Sequence, residues 1–229
     1  MGDTAAVFFD VDFTQIYPGP RFQGAGYQAS CATRGIAVDA ARFEAAVAGA
    51  AGVLDSADQL YDADLFIRYT ARIIELMGGR GAAVSQVARE LYDEWAEHHH
   101  FSLYDDVRET LAALAARRVR IGLISNSHRC LDSFQSHFEL DGLITVAVSS
   151  FELGIMKPHP AIFRTALGRM QVPADRAVMV GDSLVHDVDG ARQVGMRAVW
   201  LTRGVADGPA LPDVPTIRSL RELPQLLDD

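Results

Sequence analysis

Five short runs, at residues 5–9, 120–125, 143–148, 177–181 and 197–201, are almost unbroken in apolar character. A strand with one wet face alternates apolar and polar residues, whereas a strand buried on both faces does not. Such runs therefore belong inside a sheet covered on both sides. Helical stripes lie between the later ones. Val107, Leu111 and Leu114 form one, and Ile162, Phe163, Ala166, Leu167 and Met170 another. Val188, Ala191 and Val194 form a third, closed by Gly195. Strand–helix alternation predicts an α/β fold with a parallel sheet and helices on both faces.

The first run breaks this rhythm. Roughly 90 residues follow it without a convincing strand, and their apolar spacing is helical. Phe43, Ala46, Val47, Ala50 and Leu54 form one stripe, with Asp39 as its N-cap. Tyr61, Leu65, Tyr69, Ile73 and Leu76 form a second, and Val84, Val87, Leu91 and Trp95 a third. Gly78, Gly79 and Gly81 separate these last two. The sequence thus predicts an all-helical domain at 17–101, inserted into a core made of 1–16 and 102–229. Pro209, Pro212 and Pro215 predict a loop leading to a last short strand and helix.

Charge and composition narrow the partners. The net charge of −9 repels polyanions, which argues against nucleic acid and anionic membranes. The longest apolar stretch, 45–54, is far short of the roughly 20 residues that cross a bilayer. The first residues carry no basic segment of a secretory signal, and Ala6 spoils a myristoylation motif. Cys31 and Cys130 are too few for a disulfide framework and read as small core fillers, so a cytoplasmic setting is expected. Nothing in the sequence sets an oligomeric state. Of the 21 basic residues, Lys157 is the only lysine.

Four motifs carry candidate chemistry: FFDVDFT with Asp10, Asp12 and Thr14; IGLISNS with Ser125 and Asn126; GIMKPHP with Lys157; and VMVGDSLVHD with Asp182 and Asp187. Three of them follow strand-like runs directly. In an open parallel sheet, ligands bind beyond the carboxyl ends of the strands, so the three motifs are expected to face one crevice. Converging carboxylates repel unless one takes up a proton or a cation sits among them. All-oxygen ligands select a hard ion, with Mg²⁺ the expected one. Ser125, the Asn126 amide and Lys157 supply donors suited to phosphate oxygens. A carboxylate nucleophile, a metal and a donor cradle describe phosphoryl transfer. His128 and Arg129 follow the second motif and either extend the cradle or only begin a helix.

D-x-D-x-T, a strand ending in Ser, a Lys, and G-D-x-x-x-x-D, in this order, resemble the motifs of the haloacid dehalogenase superfamily. Each motif is weak alone, and the ordered set is specific. The resemblance implies a Rossmann-like core, with the helical insert as a subfamily I cap. It implies a Mg²⁺-dependent hydrolase acting on a small phosphorylated substrate. Asp10 would be the nucleophile, forming an aspartyl-phosphate, and Asp12 the acid and base. Asp10, the Asp12 carbonyl and Asp182 would hold the metal, with Asp187 completing the acidic set. Ser125 and Lys157 would bind the phosphoryl group, Lys157 also restraining Asp10, with Thr14 and Asn126 in support. Phe13 stands where many relatives have Gly, and Gln15 where Leu is common.

The same core residues would serve a phosphomutase. Dehalogenase chemistry needs no second aspartate for a metal, so Asp12 argues against it. A phosphonate hydrolase needs a cap lysine, and the insert has none. A catalytically silent binding protein on this fold would be expected to have lost motif residues, and none is lost.

Overall fold

The structure, a computed structural model, describes residues 4–54, 59–203 and 213–227. Pro209 and Pro212 lie outside the described residues. In chain order come β1 (Ala6–Phe9), β2 (Ile16–Pro18), α1 (Gly24–Ala32), α2 (Phe43–Ala50), α3 (Ala63–Leu76), α4 (Val84–Glu94) and β3 (Phe101–Leu103). Then follow α5 (Val107–Ala116), β4 (Arg120–Ser125), α6 (Leu131–His137), β5 (Ile144–Ser149), α7 (Ser150–Leu153) and α8 (Pro160–Met170). The last are β6 (Ala177–Gly181), α9 (Gly190–Gln193), β7 (Arg197–Leu201), β8 (Thr216–Ile217) and α10 (Leu223–Leu226).

The chain separates into two compact units, one of Met1–Tyr17 with Leu103–Asp229, the other of Pro18–Ser102. In the first, six strands form a parallel sheet in the order β5-β4-β1-β6-β7-β8. β1 lies centrally, with Phe9 level with Leu123 on one side and Val180 on the other. From β1 the chain builds outward through β4 and β5, then returns to build the opposite side from β6. Such a reversal is where open α/β sheets bind ligands, here at the carboxyl ends of β1, β4 and β6. All four residues of β1 and all five of β6 are buried, as their unbroken apolar runs require. On one face, Phe8, Ile162, Phe163, Ala166, Met170, Met179 and Val188 pack into a continuous core.

The second unit is helical. α3 buries Leu65, Ile67, Ile73 and Ile74, and α4 buries Val84, Val87, Ala88 and Leu91. Phe22, Trp95 and Phe101 pack ring against ring, with centroids 4.7–5.4 Å apart. Arg21 ties this start of the unit to α4 through Glu94, Nη2 donating to Oε1 at 2.7 Å. Asp39 caps a 3-10 turn ahead of α2, its side chain accepting from Ala41 N at 3.0 Å.

Three features depart from the sequence reading. α1 is a helix the apolar spacing did not mark, because Gly24, Gly26 and small polar residues give it little contrast. The short strands β2 and β3 bracket the helical stretch, each too brief for a period of two to register. Cys31 is buried as expected, but Cys130 is exposed at the N-cap of α6 and fills no core.

Candidate active site

Three of the four motifs place their polar residues where a strand runs out. Asp10 directly follows β1, Ser125 ends β4, and Asp182 directly follows β6. Asp10 N donates to Val180 O at 2.9 Å, which extends the ladder one residue and fixes the backbone of the first aspartate.

Lys157 is 3% exposed and reaches this sheet end from the turn before α8. Its Nζ donates to Asp10 Oδ1 and to Asp187 Oδ1, both at 2.6 Å. Asn126 seats the lysine by both ends of its amide. Oδ1 accepts from Lys157 N at 2.7 Å, and Nδ2 donates to Lys157 O at 2.9 Å. The second motif thus sets the backbone of the third. Ser125 is 1% exposed, and its Oγ has no hydrogen-bond partner among the described residues.

Asp187 is brought back to the strand end by a π-helical turn, Leu184–Asp189, where the sequence suggested an ordinary helix. Its Oδ2 accepts from Ser183 N at 3.0 Å. Gly181 permits this approach, since a Cβ there would lie 2.2 Å from Asp187 Oδ2. Trp200 on β7 steadies the neighbouring backbone, its Nε1 donating to Asp182 O at 2.9 Å.

The carboxylates of Asp10, Asp182 and Asp187 offer ligand atoms all within 4.8 Å of one another, with Asp182 the solvent-accessible member. Burial pushes the Asp10 carboxyl up to about 6, opposed by Lys157 and reinforced by Asp187. Burial pushes Asp182 up to about 8, reinforced by Asp10 and Asp187. Burial acts to lower the Lys157 pKa, but the attraction of Asp10 and Asp187 holds it above the ordinary value. Three acids around one ammonium leave an excess of negative charge. An all-oxygen site in deficit by positive charge fits a hard cation.

Asp12 is not in that acidic group. Its Oδ1 accepts from Arg129 Nη2 at 3.1 Å, and the arginine side chain is 0% exposed. Burial raises the Asp12 carboxyl, with Arg129 opposing. Thr14 is fully buried, and its Oγ1 finds no partner among the described residues. Its carbonyl accepts from Arg203 Nη2 at 2.7 Å and Nε at 3.0 Å. Arg203 also pairs with Asp106 through two bonds of 2.8 and 3.0 Å and covers the Tyr104 ring at 3.7 Å. The sequence carried no signal for this clamp, because its partners Arg203 and Asp106 are 97 positions apart. Arg129 was visible as the fourth residue after Ser125, but its burial was not. Gln15 is fully buried, with Nε2 donating to Asp10 O at 3.3 Å.

A parallel α/β core with converging acids and a buried lysine at the strand reversal defines a class of hydrolytic and transfer enzymes. The family model of the haloacid dehalogenase-like hydrolases matches residues 4–195, and the chain belongs to this family. Phosphoserine phosphatase of Thermus thermophilus is 36% identical over 146 residues, 59% of this chain and 56% of that protein. Haloacid dehalogenase-like hydrolase domain-containing protein 3 of Xenopus laevis is 34% identical over 115 residues, 50% of this chain and 47% of that one. The chain therefore spans about half the length of these curated relatives. The crystal structure of a HAD phosphatase from Thermococcus onnurineus superposes with a TM-score of 0.69 at 28% identity, covering 97% of each chain. No helix among the described residues is long and apolar enough to cross a membrane.

Proposed function

We propose that the chain is a Mg²⁺-dependent phosphomonoesterase acting on a small phosphorylated metabolite in the cytoplasm, with Asp10 as nucleophile. The observation that carries this reading is Lys157, buried between Asp10 and Asp187 beside the solvent-accessible Asp182. Lys157 engages Oδ1 of Asp10, which leaves Oδ2 as the oxygen that the lysine does not hold. That oxygen is the one suited to attack phosphorus.

Attack would form the Asp10–phosphorus bond as the bond to the leaving oxygen breaks, with Asp12 giving that oxygen its proton. Asp12, now ionised, would take a proton from a water attacking the same phosphorus. The bond to Asp10 would then break, releasing inorganic phosphate and restoring both carboxyl groups. Ser125 Oγ and Lys157 Nζ would donate to the phosphoryl oxygens throughout. Asp10, Asp182, Asp187 and the Asp12 carbonyl would hold Mg²⁺, which when bound would offset the carboxylate charge and polarise the phosphoryl group. Dehalogenation needs no second aspartate at the Asp12 position, so Asp12 favours phosphoryl chemistry. The phosphoserine phosphatase relative supports a small substrate.

We assign the chemistry to 1–16 and 102–229, and selection of the leaving group to the helical residues 17–101. The test is release of inorganic phosphate from an aryl phosphate. Activity should vanish in EDTA and return with Mg²⁺, while Ca²⁺, with its longer bonds and larger coordination number, should support little. Full activity in excess chelator would contradict the metal assignment.

A further inference from the structure

Asp12 lies two residues beyond Asp10, where extended backbone would turn both side chains to one side. Its carboxylate nevertheless stays out of the group formed by Asp10, Asp182 and Asp187. The bond from Arg129 to Oδ1 is its only side-chain hydrogen bond, and Oδ2 has none among the described residues. The Asp12 side chain is 18% exposed and that of Arg129 is 0% exposed. Oδ2 is therefore the oxygen left to meet a ligand.

Arg129 is itself fixed from the strand end that supplies Ser125. Its backbone N donates to Ser127 Oγ at 3.1 Å, and α6 begins two residues later. A guanidinium at this depth is expensive to desolvate unless it is paired in good geometry. A pair built at such cost beside three other carboxylates has one evident use: it pins one oxygen of one aspartate.

We propose that Arg129 is a positioning residue for Asp12. It fixes the carboxylate rotamer through Oδ1, keeps it apart from the acidic cluster, and presents Oδ2 to the leaving oxygen and then to water. The inference rests on the phosphatase reading and adds to it the residue that orients the acid and base. Asp12 exchanges the proton, and Arg129 touches no reacting atom.

A double-mutant cycle tests this on an aryl phosphate with a good leaving group, with Mg²⁺ present. Arg129→Met should lower kcat with little change in KM, since a misplacement near 1 Å can cost about 10²-fold. Asp12→Asn should lower kcat by about 10²–10⁴-fold. The double variant should match Asp12→Asn alone within about twofold, because the arginine then has no carboxylate to orient. Losses that multiply in the double variant would overturn the proposal. A rise in KM that persists in the Asp12→Asn background would also overturn it, because Arg129 would then be binding substrate directly. If Arg129→Met loses its fold by circular dichroism, Arg129→Gln keeps a donor of moderate length and its cycle reads the same coupling. Wild-type turnover that disappears in Asp10→Asn checks the phosphatase reading separately, without any Arg129 variant.

Discussion

Lys157 is the only lysine among 21 basic residues, and it is buried between two carboxylates. A compact ammonium can meet two oxygens at 2.6 Å from one point, whereas a planar, wider guanidinium cannot do so from the same backbone. Lys157→Arg should keep the charge and the fold and lose at least about tenfold in kcat/KM, or about 1.4 kcal/mol of transition-state stabilisation. Steady-state kinetics with thermal melts check both halves. The acids around it predict a pH effect. Asp10 and Asp182 have folded pKa values raised to about 6 and about 8, above the ordinary 3.8. In this pH range the folded, metal-free protein therefore binds more protons than the unfolded chain. That stabilisation is complete below the ordinary value and is lost as pH rises through the folded values. Melting in EDTA should thus fall between pH 5 and pH 8.5 by more in the wild type than in Asp182→Asn, and Mg²⁺ should narrow the gap. Equal pH slopes in the two proteins would contradict the assignment of a strained acidic group.

At the scale of elements, the sheet was legible because burial on both faces leaves a simple mark. The structure gives β4, β6 and β7 at the bounds their apolar runs define. The run read at 143–148 lies one residue further on, as β5. α1 was not legible, because its Gly26 is kept for close packing rather than helix propensity; a Cβ there would lie 2.1 Å from Arg21 O. The turn after β1 tells a similar story. Phe13 adopts φ 64°, the left-handed region in which glycine is the unstrained residue. The Gly that the resemblance leads one to expect at this position would adopt this conformation without strain, and Phe13 here is exposed. The Gly-Asp start of the fourth motif was read as a strand end with a carboxylate. The structure adds that its glycine makes room for a different aspartate, Asp187. Gly181→Ala should therefore displace Asp187, loosen Lys157 and cut turnover by at least about tenfold. Overpacking of this kind also costs about 1–3 kcal/mol of stability. An alanine variant with wild-type kinetics and unfolding midpoint would show that the close approach carries no function.

For the whole molecule, sequence order turned into spatial convergence through one topological fact. Strands β1, β4 and β6 are neighbours in the sheet although they lie far apart in the chain. This brings Asp10, Ser125 and Asp182 to one end, and it is why three motifs could be read as facing one crevice. What the sequence could not carry were contacts without a local pattern: Arg129 on Asp12, Trp200 on the Asp182 carbonyl, and Arg203 clamping Thr14 to Asp106. Long-range side-chain pairs leave no periodicity, and a buried arginine looks like any other in a chain this rich in arginine. The helical unit has its own core, and the chain leaves for it at Pro18, only eight residues after Asp10. The central claim is that Asp10 carries the phosphoryl group during turnover. Rapid acid quenching with an aryl phosphate and Mg²⁺, followed by mass spectrometry of the peptide containing Asp10, reads it directly. A phosphoryl adduct on Asp10 that forms before phosphate release, and is absent in Asp10→Asn, is the predicted result. Undiminished turnover in Asp10→Asn, with no adduct in the wild type, would contradict it.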